Sequence, residues 1–193
     1  MSKLEIIVSS TRPGRIGPAI GDWVEAVAVE HGGFHEVELL DLAEVNLPFM
    51  NEPHHPRLAQ YTHQHTRDWS AKIGEADAYV FVMPEYNYGY NAELKNAIDY
   101  LYNEWKYKPV GLVSYGGVSA GTRAAQMIKQ VVTTLKMTPL VEAVSIPFAH
   151  QHVAEGRLTP SQAMTTSAKA MFDELVQVSD TLRPLRATDL QQA

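Results

Sequence analysis

Leu4-Glu5-Ile6-Ile7-Val8 leads directly into Ser9-Ser10-Thr11-Arg12-Pro13-Gly14-Arg15-Ile16-Gly17. The first run is apolar enough for a buried strand. The loop after it carries three hydroxyls and two arginines, and Ile16, Ile20, Trp23, Val24 and Val27 then recur at helical spacing. Strand, loop and helix start together form an anion seat, because the first N–H groups of a helix lack internal partners and its dipole favours negative charge there. An arginine grips two phosphate oxygens at once, and hydroxyls add further donors. The same residues also fit an ordinary strand-to-helix turn with solvated arginines, so this stretch alone leaves both readings open.

The absent motifs narrow the guest. Neither the G-x-G-x-x-G fingerprint of dinucleotide sites nor the G-x-x-x-x-G-K-[ST] loop of triphosphatases follows the strand. A cup of hydroxyls and arginine suits a single terminal phosphate, hence a mononucleotide. In doubly wound sheets of flavodoxin-like order, FMN sits at the switch point beside the first strand.

Length and composition set the outer bounds. The 193 residues, 45% hydrophobic and 20% charged, match one soluble globular domain. A net charge of −6 without a basic face gives no footprint for nucleic acid. No apolar run reaches the length of a membrane span, and the N-terminal stretch lacks the layout of a signal peptide. With no cysteine, disulfides, thiolate metal sites and cysteine catalysis are excluded, and a cytoplasmic setting is expected.

The order of elements predicts β-α alternation about five times over. His35 to Asp41 alternates as an edge strand does, whereas Ala78 to Met83 and Val110 to Val113 are continuously apolar, as central parallel strands are. The first strand of that pair is expected to stop at Pro84. Helices are predicted after the first loop, from about 57 to 74, through Leu94 to Leu101, and through Gly121 to Leu135. Leu140 to Val144 reads as a last short strand. A capping box at Thr159-Pro160-Ser161-Gln162 opens the final helix, with Pro160 at its first position. The expected architecture is α/β, a flavodoxin-like three-layer sandwich with a five-stranded parallel sheet of order 2-1-3-4-5. It spans residues 1–182, and a polar, poorly anchored tail follows over 183–193.

Ligands of open α/β sheets sit at the carboxyl ends of the strands. Three loops are predicted there: Ser9 to Gly17, Pro84 to Asn91, and Ser114 to Gly121. The second, Pro84-Glu85-Tyr86-Asn87, offers flat tyrosine faces and polar groups for the edge of a heterocycle. The third, Ser114-Tyr115-Gly116-Gly117, lets backbone approach a ligand closely.

In these motifs the chain resembles the NADPH-dependent FMN reductases of flavodoxin-like fold. The G-S-x-R type loop corresponds to Ser9-Ser10-Thr11-Arg12, the P-E-Y-N segment to Pro84–Asn87 followed by Leu94-Lys95-Asn96-Ala97, and the Y-G-G loop to Tyr115–Gly117 before Arg123-Ala124. The resemblance covers the chain to about Val144. It implies that Ser10, Thr11, Arg12, Arg15, Ile16 and Gly17 hold the phosphate of FMN. It further implies that Pro84, Glu85, Tyr86 and Asn87 run along the ribityl chain and ring, and that Ser114, Tyr115, Gly116 and Gly117 meet the polar edge of the ring. Ser9 stands where the family usually has Gly, and Asn91 where Pro is common. Ser9 is expected to tighten the turn, and Asn91 to cap the helix after it. The implied reaction is hydride transfer from NADPH or NADH to FMN and onward to a small-molecule acceptor, with no catalytic side chain required. A homodimer, or a pair of dimers, is the implied assembly.

Eight histidines invite a metal reading, yet neither H-E-x-x-H nor cysteine is present, and no metal is expected. His63 and His65, two apart in a predicted helix, are expected to point in different directions. Lys95 and Arg123 read equally as grips for a nicotinamide phosphate or as surface charge. The apolar last helix and the aromatic segment from Tyr100 to Tyr107 exceed what one small core needs and suggest an interface. Two other functions fit the fold: an electron carrier of flavodoxin type without nicotinamide activity, and a flavin-free scaffold.

Overall fold

The computed structural model describes residues 2–192, with side chains described through residue 188. Five parallel strands form its sheet: β1 (Lys3–Val8), β2 (Glu36–Asp41), β3 (Ala78–Tyr86), β4 (Pro109–Tyr115) and β5 (Thr138–Ile146). Their order is β2-β1-β3-β4-β5, the flavodoxin-like arrangement expected from the sequence. The central strands are covered on both faces and the edge strands only in part, which is why the former read as unbroken apolar runs.

Alternation along each strand feeds two cores. Leu4, Ile6, Val8, Val80 and Val82 pack with α1 (Gly17–His31) and the C-terminal α5 (Gln162–Gln192). Ile7, Phe81 and Met83 face α2 (Gln64–Glu75), α3 (Ala92–Asp99) and α4 (Thr122–Thr134). On that second face Trp105 meets Trp69, Tyr79 and Phe81 edge-on, and both indole N–H groups donate to carbonyls of α3, Ala97 and Ile98.

Several boundaries differ from the sequence expectation, each for a definable reason. β3 does not stop at Pro84 but continues to Tyr86 and folds back through Gly89–Tyr90. Val82 O accepts from Ser9 N at 3.0 Å, so Val82 and Pro84 both turn their backbones toward β1, which ends at Val8. The missing N–H of Pro84 therefore faces a side with no ladder left to bond. The helix expected from 57 is only a 3-10 turn at Pro56–Leu58, and α2 starts at Gln64. There Glu52 accepts from Thr62 N at 2.8 Å and His63 N at 3.0 Å, capping the helix from outside its own sequence. His63 thus lies outside the helix, and its ring stacks on His65 with centroids 5.1 Å apart, contrary to the expected divergence.

α5 begins at Gln162 with Ser161 Oγ accepting from Met164 N at 3.3 Å, so Pro160 stays outside the helix. It continues through Pro184 past the point where a tail was expected. Arg186 donates to Asp77 Oδ1 at 2.8 Å and Tyr107 O at 3.0 Å, tying this last part to the domain; residue 193 lies outside the described residues. Much of what was expected at an interface is spent inside: Met171, Phe172, Leu175, Tyr100 and Trp105 are all buried, while Tyr102 and Tyr107 stay partly exposed.

Candidate functional site

The three expected loops do meet at the carboxyl end of the sheet, but they divide their labour unevenly. In the first loop, Ser9 Oγ donates to Asn91 Oδ1 at 2.7 Å and Asn91 Nδ2 returns a bond to Ser9 O at 2.7 Å. Asn91 therefore does not cap α3 with its side chain. Thr11 Oγ1 donates to Glu93 Oε1 at 2.8 Å. Arg15 grips Asp41 with both terminal nitrogens, at 2.7 and 2.6 Å, and Arg15 Nη1 also donates to Ser10 O at 2.7 Å. Two of the three hydroxyls and one of the two arginines are thus committed to the fold.

What remains is Ser10 and Arg12. Arg12 is exposed, and its guanidinium has no hydrogen bond or ion pair to any described residue, although its carbonyl accepts from Arg15 N at 3.2 Å. Ser10 Oγ is buried without a partner, and so is Tyr115 OH. Both press on Gly17: a Cβ there would lie 2.2 Å from Ser10 Oγ and 2.9 Å from Tyr115 OH. Glycine is required at this helix start because two hydroxyls occupy the space of a side chain. α1 itself has no side-chain cap, carries Pro18 in its first positions and has no acidic residue in its first turn. An uncapped helix N-terminus, a free guanidinium and partnerless hydroxyls form a built-in seat for an anion.

A cleft of about 220 Å³ opens from this seat. Arg12, Arg15 and Ile16 line it from the first loop, Pro84 to Tyr86 from the second, and Tyr115 to Gly117 from the third. A fourth segment, Ala149 and His150, closes one side and was not anticipated. Phe148 holds a left-handed φ of 45°, and Phe148 N and Ala149 N donate to Gly117 O and Gly116 O at 3.0 Å each. His150 is one of the eight histidines, and the turn that delivers it has no local sequence mark.

Glu85 lines the cleft with its carboxylate already engaged. Ser119 Oγ donates to it at 2.8 Å, Arg123 Nε at 2.6 Å and Arg123 N at 3.1 Å. Burial works to raise this carboxyl, but those bonds bring it below the usual carboxylate range and keep it ionised. The Arg123 guanidinium also lies 3.7 Å from the centroid of the Tyr88 ring. Lys95 is paired with Asp99. Asn87 and Tyr88, at φ 48° and 74°, form the two-residue turn of the hairpin that closes the second loop. Ser114 Oγ donates to Ala120 O at 3.0 Å, bracing the third loop from behind. Thr11, Asn87 and Ser114 are therefore supports outside the cleft lining. A larger hollow of about 430 Å³ lies on the far side of Thr11, between residues 42–49 and α3, but holds no uncommitted charge among its lining residues.

The family model for NADPH-dependent FMN reductases matches residues 2–151, three quarters of the chain. The chain belongs to that family. An NAD(P)H-dependent FMN reductase of Schizosaccharomyces pombe is 38% identical over 183 residues, 91% of this chain and 90% of the relative. The NAD(P)H-dependent FMN reductase LOT6 of Saccharomyces cerevisiae is 36% identical over 156 residues, 75% of this chain and 81% of that protein. Among solved structures, the flavoenzyme NAD(P)H:(acceptor) oxidoreductase FerB of Paracoccus denitrificans superposes with a TM-score of 0.74 at 21% identity, covering 94% and 98% of the two chains. The protein is thus an NAD(P)H-dependent FMN reductase type oxidoreductase, with FMN and NAD(P)H as its cofactor and co-substrate.

The cleft of this FMN reductase fits a flavin mononucleotide on its own terms. The orphaned hydroxyls and the helix start answer a phosphate, while Tyr86 and the Gly116-Gly117 backbone offer a flat, close-fitting wall. Among the described residues, no helix is long and apolar enough to cross a membrane.

Proposed function

We propose that the cleft beside Gly17 is the FMN site, and that the chain passes reducing equivalents from NAD(P)H to a small, flat electron acceptor there. The observation that carries this reading is the partnerless pair Ser10 Oγ and Tyr115 OH beneath an uncapped helix start, with Arg12 free above it. Ser10, Arg12 and the first turn of α1 bind the phosphate. Arg15 acts indirectly, holding the Ser10 backbone while paired with Asp41. Pro84 and Tyr86 position the ribityl chain and ring from one side. Gly116 and Gly117 let the main chain reach the polar edge of the ring from the other. Bound FMN supplies the hydride-accepting and hydride-donating chemistry.

Tyr88, Val118 and Phe148 stand exposed next to the cleft-lining segments and give a second flat reactant an apolar rim. A cytoplasmic setting and a homodimer complete the reading. Phe49, 85% exposed, stands at the larger hollow beside α3 and supports self-association. Sedimentation at micromolar concentration distinguishes dimer from monomer.

The decisive experiment is spectroscopic. The purified chain is expected to take up FMN, turn yellow and bleach anaerobically on addition of NADPH or NADH. Yellow protein inert to both nicotinamides would identify an electron carrier, and protein that refuses FMN would remove the site assignment altogether.

A further inference from the structure

Tyr115 sits at the end of β4, opposite Pro84 in the register, where its ring is counted among the cleft walls. Its hydroxyl points elsewhere, to the space beside Gly17 that Ser10 Oγ shares. Resting on the phosphate seat proposed above, we infer that Tyr115 is a positioning residue for phosphate: its hydroxyl donates to Ser10 Oγ, so that Ser10 aims its own proton at the anion on the first turn of α1.

Elimination leads to this pair. Ser9 and Thr11 have spent their hydroxyls on Asn91 and Glu93, and Arg15 is held by Asp41. Ser10 is the one hydroxyl of the loop with nothing to bond. Its backbone is pinned by Arg15 Nη1 at 2.7 Å, leaving only rotation about χ1. A serine hydroxyl donates one bond and accepts others. Two neighbouring buried hydroxyls are both satisfied only when the chain ends on an acceptor, and the uncapped helix start is where an anionic acceptor is favoured. Burial keeps the Tyr115 phenol protonated, so it enters the chain as a donor. A hydroxyl that accepts a bond becomes a stronger donor in turn. The consequence is selectivity: the Tyr115 hydroxyl strengthens binding of a flavin carrying a phosphate and does nothing for one without it.

The test compares FMN with riboflavin. Equilibrium binding of each, followed by flavin fluorescence, is measured for wild type, Tyr115→Phe, Ser10→Ala, the double variant and Arg12→Ala. Tyr115→Phe is expected to weaken FMN about three- to tenfold, the usual range for one neutral hydrogen bond, and to leave riboflavin within about twofold. Ser10→Ala should fall at least as far, and the double variant no further than Ser10→Ala. Flavin-free Tyr115→Phe should melt no lower than wild type, because the pair of hydroxyls is left unsatisfied until an anion ends the chain. An equal loss for both flavins, an unchanged FMN affinity, a multiplicative double variant or a marked drop in melting temperature each overturns the inference. Arg12→Ala separates it from the parent reading. If Arg12→Ala collapses the preference for FMN while Tyr115→Phe keeps it, the role of Tyr115 alone is wrong. If Arg12→Ala also keeps it, the phosphate seat itself is misplaced.

Discussion

Ser9 and Asn91, 82 positions apart, exchange two hydrogen bonds of 2.7 Å in the interior, where they are 0% and 2% exposed. These are the two positions at which the sequence departs from the Gly and Pro that the resemblance leads one to expect. Together they tie the phosphate loop to the start of α3.

Removing one partner strands the other, whereas removing both does not. Ser9→Gly or Asn91→Pro alone is expected to lower unfolding free energy by about 1–3 kcal/mol. The double variant should lose clearly less than the sum. Urea denaturation of the four proteins measures the coupling, and additive losses would show that the two residues act independently.

Arg12 and Arg15 should separate on substitution. Arg12→Ala is expected to weaken FMN about tenfold to a hundredfold, the range of a charge-assisted contact, with little change in melting temperature. Arg15→Ala leaves Asp41 with only the Ala43 N–H and no cation, and should lower the melting temperature of the flavin-free chain. Titration of FMN alongside thermal melting reads both effects, and interchanged phenotypes would contradict the assignment.

Glu5 offers a pH signature at the opposite end of the sheet. It is wholly buried, neither carboxylate oxygen has a partner, and burial raises its pKa to about 8 from 4.5. The folded chain keeps a proton that the unfolded chain releases, so stability falls as pH rises from 4.5 toward 8. Glu5→Gln is expected to flatten this slope and gain on wild type across that window, by roughly 2–4 kcal/mol at its upper end. Lys108, lowered by burial to about 8, adds an opposing slope above that value, so the comparison belongs below it. Parallel slopes in urea melts would remove Glu5 as the cause.

Glu52 gives the opposite sign. Burial opposes its ionisation, but bonds from Thr62 and His63 bring its pKa down to about 2. The stability it contributes is present above 4.5 and fades as pH falls toward 2. Glu52→Gln should cost about 1 kcal/mol at neutral pH, as losing a helix cap does, and progressively less in acid. A cost that persists at pH 2 would assign the loss to packing.

The sheet was legible because β1, β3 and β4 are buried on both faces and show it in unbroken apolar runs, a local property. The three loops were legible for the same reason, since each follows such a run. Which members of the phosphate loop are free was not legible. That depends on Asn91, Glu93 and Asp41, brought there by the fold from distant positions. Nor was the start of α2 legible, because Glu52 caps it from outside any local motif. His150 reaches the cleft only through the backbone bonds of Phe148 and Ala149 to Gly117 and Gly116.

The side chain of Glu85, in one wall of the cleft, is only 6% exposed, and it is bonded by Ser119 and Arg123, which follow the loop that forms the other wall. The two walls thus form one jaw, braced by an ion pair whose carboxylate is shielded from dissolved salt while its guanidinium is 38% exposed. A slot so braced cannot tailor itself to each visitor. On the proposed reading, discrimination among reactants falls to the open lip, where exposed Val118 can change without touching the Glu85–Arg123 pair that Tyr88 packs against.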